Sequence, residues 1–380
     1  MLLAMLLHIQ SEDPLFLVGH RIDSLLFYDQ KINAQVSFSN RLWMKSQQNM
    51  FVSWLQKLGW NPPEHEQTIL AVRDSALQQL LTSKINELKH EMIQGKIVSV
   101  EGSKEGSIIT LEDGTQIKPK VIVSTRPDPV LSSYAQIDTK SIFYQQRMCS
   151  SFCTLSDDLN DVYIRSYPNG FISLIPLDNK QAILKYCYGE KNEVTRKLDK
   201  SAYLDKVNTQ LQQISDKDTQ GWFKTPLSYP PLIIDETESR TEKLLAWSQS
   251  TRFYNKNVIV LGDAAHEFYP FLLHDSNIGF NEVAVLANNV AAAEAKKKGV
   301  GEGYNRQTTA VANTYGNLQH YLKQITQSEG FSMKCIQAFG AGLLNWFPLA
   351  AYLLNEVAYG AVTPPFSLDF MGKPGSTTNV

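Results

Sequence analysis

The segment from Val258 to Ala293, VIVLGDAAHEFYPFLLHDSNIGFNEVAVLANNVAAA, concentrates the residue types that could do chemistry in this chain of 380 residues. A β-branched run, Val258-Ile259-Val260, leads into Gly262-Asp263. An extended stretch follows to Pro270, and a helix opens at Asn277-Ile278-Gly279. That order puts the Asp263 carboxylate at the carboxyl end of a strand, where it can accept hydrogen bonds from a sugar-like chain. Free N–H groups at the start of the helix favour an electron-rich ligand. Together they would form one wall of a cofactor site. His266 and His274 with Asp263 and Asp275 also invite a metal reading. No pair among them has the i, i+4 spacing of a helical zinc site, so the metal reading is the weaker one. A serine hydrolase would need Gly-x-Ser-x-Gly at a nucleophile elbow, and the sequence has none.

The elements that must hold this segment are legible on both sides of it. Ser24 to Phe38 reads as a hairpin, and FVSWLQKLGW as an amphipathic helix stopped by Pro62-Pro63. From Arg73, apolar residues at Ala76, Leu77, Leu80, Leu81, Ile85 and Leu88 recur at helical spacing. Strands follow near Ile97 to Val100 and Ile108 to Leu111, with a turn at Asp113-Gly114 and a buried run at Val121-Ile122-Val123. Further short strands recur at Val162 to Ile164, Phe171 to Ile175 and Ala182 to Tyr186, and a helix is expected between Glu193 and Leu211. In SFCTL, VYIRSYP and FISLIPL, side chains alternate so that one face can line a cleft while the other packs on helices.

Length and composition bound the rest. At roughly 150 residues per domain the chain amounts to two or three domains. Lys plus Arg number 36 and Asp plus Glu 38, for a net charge of −2, without the basic excess of a nucleic-acid binder. Cys149, Cys153, Cys187 and Cys335 form no CxxC pair and read as buried small hydrophobes of a reducing compartment. The opening MLLAMLLHIQSEDP has no basic region or cleavage site, which points to a cytoplasmic location. Cys335 to Asn355 carries no charge, but Gln337, Asn345 and Trp346-Phe347-Pro348 favour two packed helices over a span, with a face that touches the inner membrane peripherally.

Gly262-Asp263-Ala264-Ala265-His266, with Pro270, Asn277 and Gly279 in register, resembles the third flavin motif of the class A flavin-dependent monooxygenases. The likeness is strongest to their ubiquinone-biosynthesis branch. Arg73 with Leu77 and Leu80, the hairpin LEDGTQIKPKVIV and the C-terminal helices extend the resemblance over most of the chain after residue 21. It implies an α/β fold: an FAD/NAD(P)-binding-like domain without its first βαβ unit, an inserted antiparallel sheet domain and a helical C-terminus. The flavin-binding segments would be residues 1–20, 66–127 and 250–300, and the substrate domain residues 21–65 and 128–249. C-terminal helices would span residues 301–362, with a flexible tail over 363–380. By the same resemblance the cofactor is FAD and the electron donor NAD(P)H. The substrate would be a lipophilic aromatic ring, a prenylated phenol or quinone precursor. Asp263 would contact the flavin ribityl chain, with Gly262, Pro270, Asn277 and Gly279 shaping that wall and Arg73 near the pyrophosphate. No protein acid or base is implied, because the cofactor carries the chemistry. The competing reading is a non-catalytic partner of a quinone-biosynthesis protein assembly on the same scaffold.

Three departures from the family pattern stand out. No Gly-x-Gly-x-x-Gly occurs, although that loop holds the pyrophosphate in this family. Ser124-Thr125-Arg126-Pro127 replaces an Asp-Gly motif, and Leu273 and Asp275 replace glycines that allow close approach to the flavin ring. Weak or absent flavin in the purified protein, and hence a colourless preparation, is therefore expected.

Overall fold

The computed structural model describes residues 19–32, 34–39, 69–88, 91–103, 106–189, 198–212, 229–238, 240–271, 275–296, 299–328 and 330–346. The helix expected over FVSWLQKLGW, the residues Leu273 and His274, and the tail fall outside them.

The dominant element is a nine-stranded sheet. Its order is β17 (His266–Glu267), β14 (Thr241–Ser250), β9 (Thr139–Leu155), β12 (Gln181–Gly189), β11 (Gly170–Pro176), β10 (Val162–Tyr167), β2 (Ser24–Asp29) and β3 (Ala34–Ser39), with β13 (Ile233–Glu236) also paired to β9. All pairings are antiparallel except β10 with β2. A second sheet joins β15 (Tyr254–Asn255), β16 (Val258–Val260) and β8 (Ile122–Ser124), the last two in parallel. β5 (Ile97–Ser103), β6 (Gly106–Leu111) and β7 (Gln116–Ile117) form a meander, and β1 (Gly19–Ile22) pairs with β4 (Ile69–Val72). The helices are α1 (Asp74–Glu87), α2 (Pro129–Ala135), α3 (Lys200–Gln212), α4 (Asp275–Lys296), α5 (Val300–Gln327) and α6 (Phe331–Trp346).

Alternation along the strands sorts side chains into two cores. Tyr163, Ile172 and Leu174 pack with Tyr203, Val207 and Leu211 of α3, while Val162, Ile164 and Phe171 pack on the opposite face with Tyr269 and Phe271. A third core surrounds β16 and takes in Ile278 and Val285 of α4 and Tyr304, Val311 and Tyr315 of α5. Fully burying a side chain of this size stabilises by about 1.5–3 kcal/mol, so the inner strands hold the fold.

Several expectations change in detail. The run Val121-Ile122-Val123 is buried only at Ile122; Val121 and Val123 are 42% and 45% exposed, because successive side chains of a strand face opposite ways and this face of β8 has no cover among the described residues. The stripe of α1 is half-buried at Leu77, Leu80 and Leu81 but exposed at Ile85 and Leu88. Cys149, Cys153 and Cys187 are buried, whereas Cys335 is exposed on α6. No described helix is long and apolar enough to cross a membrane.

Candidate functional site

β8 and β16 end side by side. Val260 pairs with Ser124, and the Leu261 N–H donates to the Ser124 carbonyl at 3.0 Å. In open α/β sheets ligands bind outside the carboxyl ends of such strands. Past Leu261 the chain tightens into a 3₁₀ turn, Gly262–Ala264, with Gly262 at φ +57°. A side chain in that conformation costs about 1–2 kcal/mol. Space is not the constraint, since the nearest atom to an added Cβ would be the Thr125 carbonyl oxygen at 4.0 Å. The backbone angle is what selects glycine. Asp263, the middle residue of the turn, is exposed.

α4 closes the other side. A Cβ on Gly279 would sit 3.6 Å from the Gly262 Cα, so the first turns of α4 lie against the 3₁₀ turn. Glu282, three residues further and on the same helical face, reaches back into the loop. Its Oε2 accepts from the Gly262 N–H at 2.7 Å and its Oε1 lies 2.9 Å from His266 Nε2. The Glu282 and His266 side chains are 1% and 2% exposed. The His266 ring stacks on Phe268 at 4.6 Å between centroids, and its Nδ1 has no hydrogen-bond partner. The Tyr304 hydroxyl donates to the Val260 carbonyl at 3.0 Å and ties α5 to the same strand.

Gly262, Asp263 and Gly279 thus come together. Asn277 lies in the first turns of α4, which begins at Asp275 rather than Asn277. Pro270 is buried between Tyr269 and Phe271, whose rings meet Phe171 edge-on at 5.7 Å each. Arg73 stands apart: its guanidinium donates to Gln181 and lies 5.3 Å from the Phe152 ring centroid. Phe152 is near the far end of β9 from Thr139, whose partner Ser250 bonds to Ala265. That separation is roughly 40 Å of extended strand. Sequence reasoning missed Glu282. The signal was available, because it is the one acidic residue in FNEVAVLANNV and shares a face with Gly279.

Around Pro270 the surroundings are apolar with a polar seam. Gln327 Nε2 donates to the Tyr269 hydroxyl at 2.7 Å, Gln146 Nε2 to Gln327 Oε1 at 2.8 Å, and the Tyr144 hydroxyl lies 2.9 Å from His320 Nδ1. Burial pushes the Tyr144 phenol and the Cys187 thiol up to about 12, and the Tyr269 phenol well above its usual range, so all three stay neutral at physiological pH.

The residues present suit the ribityl and ring portion of a flavin: an exposed carboxylate, a glycine turn and a helix that opens beside it. For the pyrophosphate, the carboxyl end of β8 offers the exposed Arg126, whose carbonyl accepts from Ser124 Oγ at 2.8 Å.

The fold is that of the flavin-dependent monooxygenases and halogenases. The flavin-dependent brominase Bmp2 matches with TM-score 0.66 and 12% identity over 95% of this chain and 82% of that chain. Klebsiella pneumoniae HpxO complexed with FAD and uric acid matches with TM-score 0.66 and 11% identity over 96% and 86%. In sequence the chain is a distant homologue of the mitochondrial ubiquinone biosynthesis monooxygenase COQ6. It is 22% identical to the Danio rerio protein over 266 residues, 63% of this chain and 55% of that protein, and 24% identical to the Homo sapiens protein over 218 residues, 51% and 46%. The chain therefore spans about half the length of the curated relatives it matches. No family model matches it.

Proposed function

We propose that the chain supports FAD-dependent hydroxylation of an aromatic ring, with a prenylated phenol or quinone precursor as substrate and NAD(P)H as electron donor. The observation that carries this reading is the Gly262–Ala264 turn at the paired ends of β8 and β16, with α4 against it. The sequence likeness to COQ6 supplies the substrate class. When bound, FAD would supply the oxygen chemistry. Asp263 accepts hydrogen bonds from ribityl hydroxyls, and Gly262 and Gly279 leave the backbone open to close approach. Asn277 and the first N–H groups of α4 favour the electron-rich edge of the ring system. Pro270 fixes the chain between Tyr269 and Phe271, on the sheet face opposite α3. A flat apolar ring would draw most of its binding energy from buried apolar area beside this packed layer. The apolar residues Ile336 and Phe339, 56% and 69% exposed on α6, would let the protein rest on a membrane that holds such a substrate.

The test is incubation of the purified chain with FAD, NADPH and a short-chain prenylated phenol under air. Formation of a product one oxygen atom heavier is expected. NADPH oxidation with no oxygenated product, or no response to the phenol, would contradict the reading.

A further inference from the structure

We infer that Glu282 is a positioning residue for the cofactor wall: its buried carboxylate sets the Gly262 turn from below and so aims Asp263 at the ligand. The inference rests on the flavin reading above. Its geometry does not. One carboxylate spans two points of the loop, accepting from the Gly262 N–H at 2.7 Å through Oε2 and meeting His266 Nε2 at 2.9 Å through Oε1. These points bracket Asp263, Ala264 and Ala265, so both ends of the segment that carries the exposed Asp263 are fixed to α4 by a single side chain.

The burial of that side chain is hard to explain otherwise. A carboxylate removed from water is strongly destabilising unless it is paired and hydrogen-bonded, and an apolar residue here would cost far less. The Tyr304 hydroxyl donates to the Val260 carbonyl and does not share the load. The Gly262 N–H is the first donor of a turn at φ +57° and has no carbonyl partner in the strand pairing. A charge-assisted bond of this kind is about twice as strong as a neutral one and directional. A Cβ on Gly279, one helical turn earlier, would lie 3.6 Å from the Gly262 Cα, an ordinary contact, which places this part of α4 against the turn that Glu282 reaches.

Two measurements on the full chain test this. FAD affinity is read by quenching of flavin fluorescence, and opening of the loop by hydrogen exchange at the Gly262 amide. Glu282→Ala should weaken FAD binding at least tenfold and expose the Gly262 amide to exchange. Glu282→Gln keeps one acceptor for Gly262 and should recover most of both. The control Glu267→Gln removes a carboxylate from the same loop, one that faces Lys243 at 3.1 Å, and should change neither. Wild-type FAD affinity in Glu282→Ala, or an unchanged Gly262 amide, would overturn the inference. If Glu282→Ala does not fold, Glu282→Gln decides: loss of affinity as large as that of Asp263→Ala, with no recovery of amide protection, overturns it. Failure of the unaltered chain to bind FAD would instead overturn the flavin reading and the ligand half of the inference. The exchange result would still test whether Glu282 sets the turn.

Discussion

The nine-stranded sheet and the short β15–β16–β8 sheet are made from similar β-branched and aliphatic runs, yet they use them differently. In the large sheet, β10 and β11 are buried on both faces, with α3 on one side and Tyr269 and Phe271 on the other. In the small sheet, Ile259 is 0% exposed while its parallel neighbour Val123, on the same face, is 45% exposed. The first is held by apolar packing in depth. The second also sits in an apolar core around β16, but its carboxyl end is held by a few directed contacts: the Gly262 turn, Glu282, His266 and Tyr304. The scaffold therefore tolerates polar change poorly at its centre, and the ligand wall depends on single hydrogen bonds at its rim.

That contrast predicts a graded set of effects. Leu174→Ala, at a fully buried site in β11, should destabilise by about 3 kcal/mol. Thermal or denaturant unfolding would show it, and a loss below about 1 kcal/mol would mean that the α3 face is not the main core.

Asp29 comes next. It is buried at the end of β2, accepts from the Lys31 N–H at 2.9 Å, and burial lifts its carboxyl to about 6. The folded protein therefore holds this proton between pH 4 and 6 while the unfolded chain releases it. Stability should fall as pH rises through that window and stay lower above it. Asp29→Asn should flatten the slope and be more stable by about 2–3 kcal/mol above pH 6. Parallel pH profiles for the two proteins would break this account.

Gly262→Ala should cost about 1–2 kcal/mol from its left-handed backbone, with a larger proportional loss of FAD affinity. Equal FAD affinity would detach the turn from the ligand. Smallest of all, Val123→Ala should change stability by no more than about 0.5 kcal/mol. A cost like that of Leu174→Ala would show that something covers this face of β8 in solution.

Much of this was legible in the sequence because local patterns met no competition. The Ser24–Phe38 hairpin, the strands at Ile97, Ile108, Val162, Phe171 and Ala182, and the strand, turn and helix around Gly262 all follow from alternation and turn chemistry. Burial was less legible. Val121-Ile122-Val123 reads as a buried run, but which face is covered depends on elements distant in sequence. The position of Arg73 was likewise out of reach, since its contact with Gln181 is a product of tertiary packing. Glu282 lay between: helical spacing places it beside Gly279, but nothing local shows that it would turn inward to Gly262 and His266.

The central claim is that Asp263 and its turn form a flavin-binding wall. The direct measurement is a fluorescence titration of FAD against the purified chain and its Asp263→Ala variant at equal, moderate salt. Saturable but weak binding by the unaltered chain, reduced at least tenfold in the variant, is the predicted result; identical curves for the two proteins would contradict it.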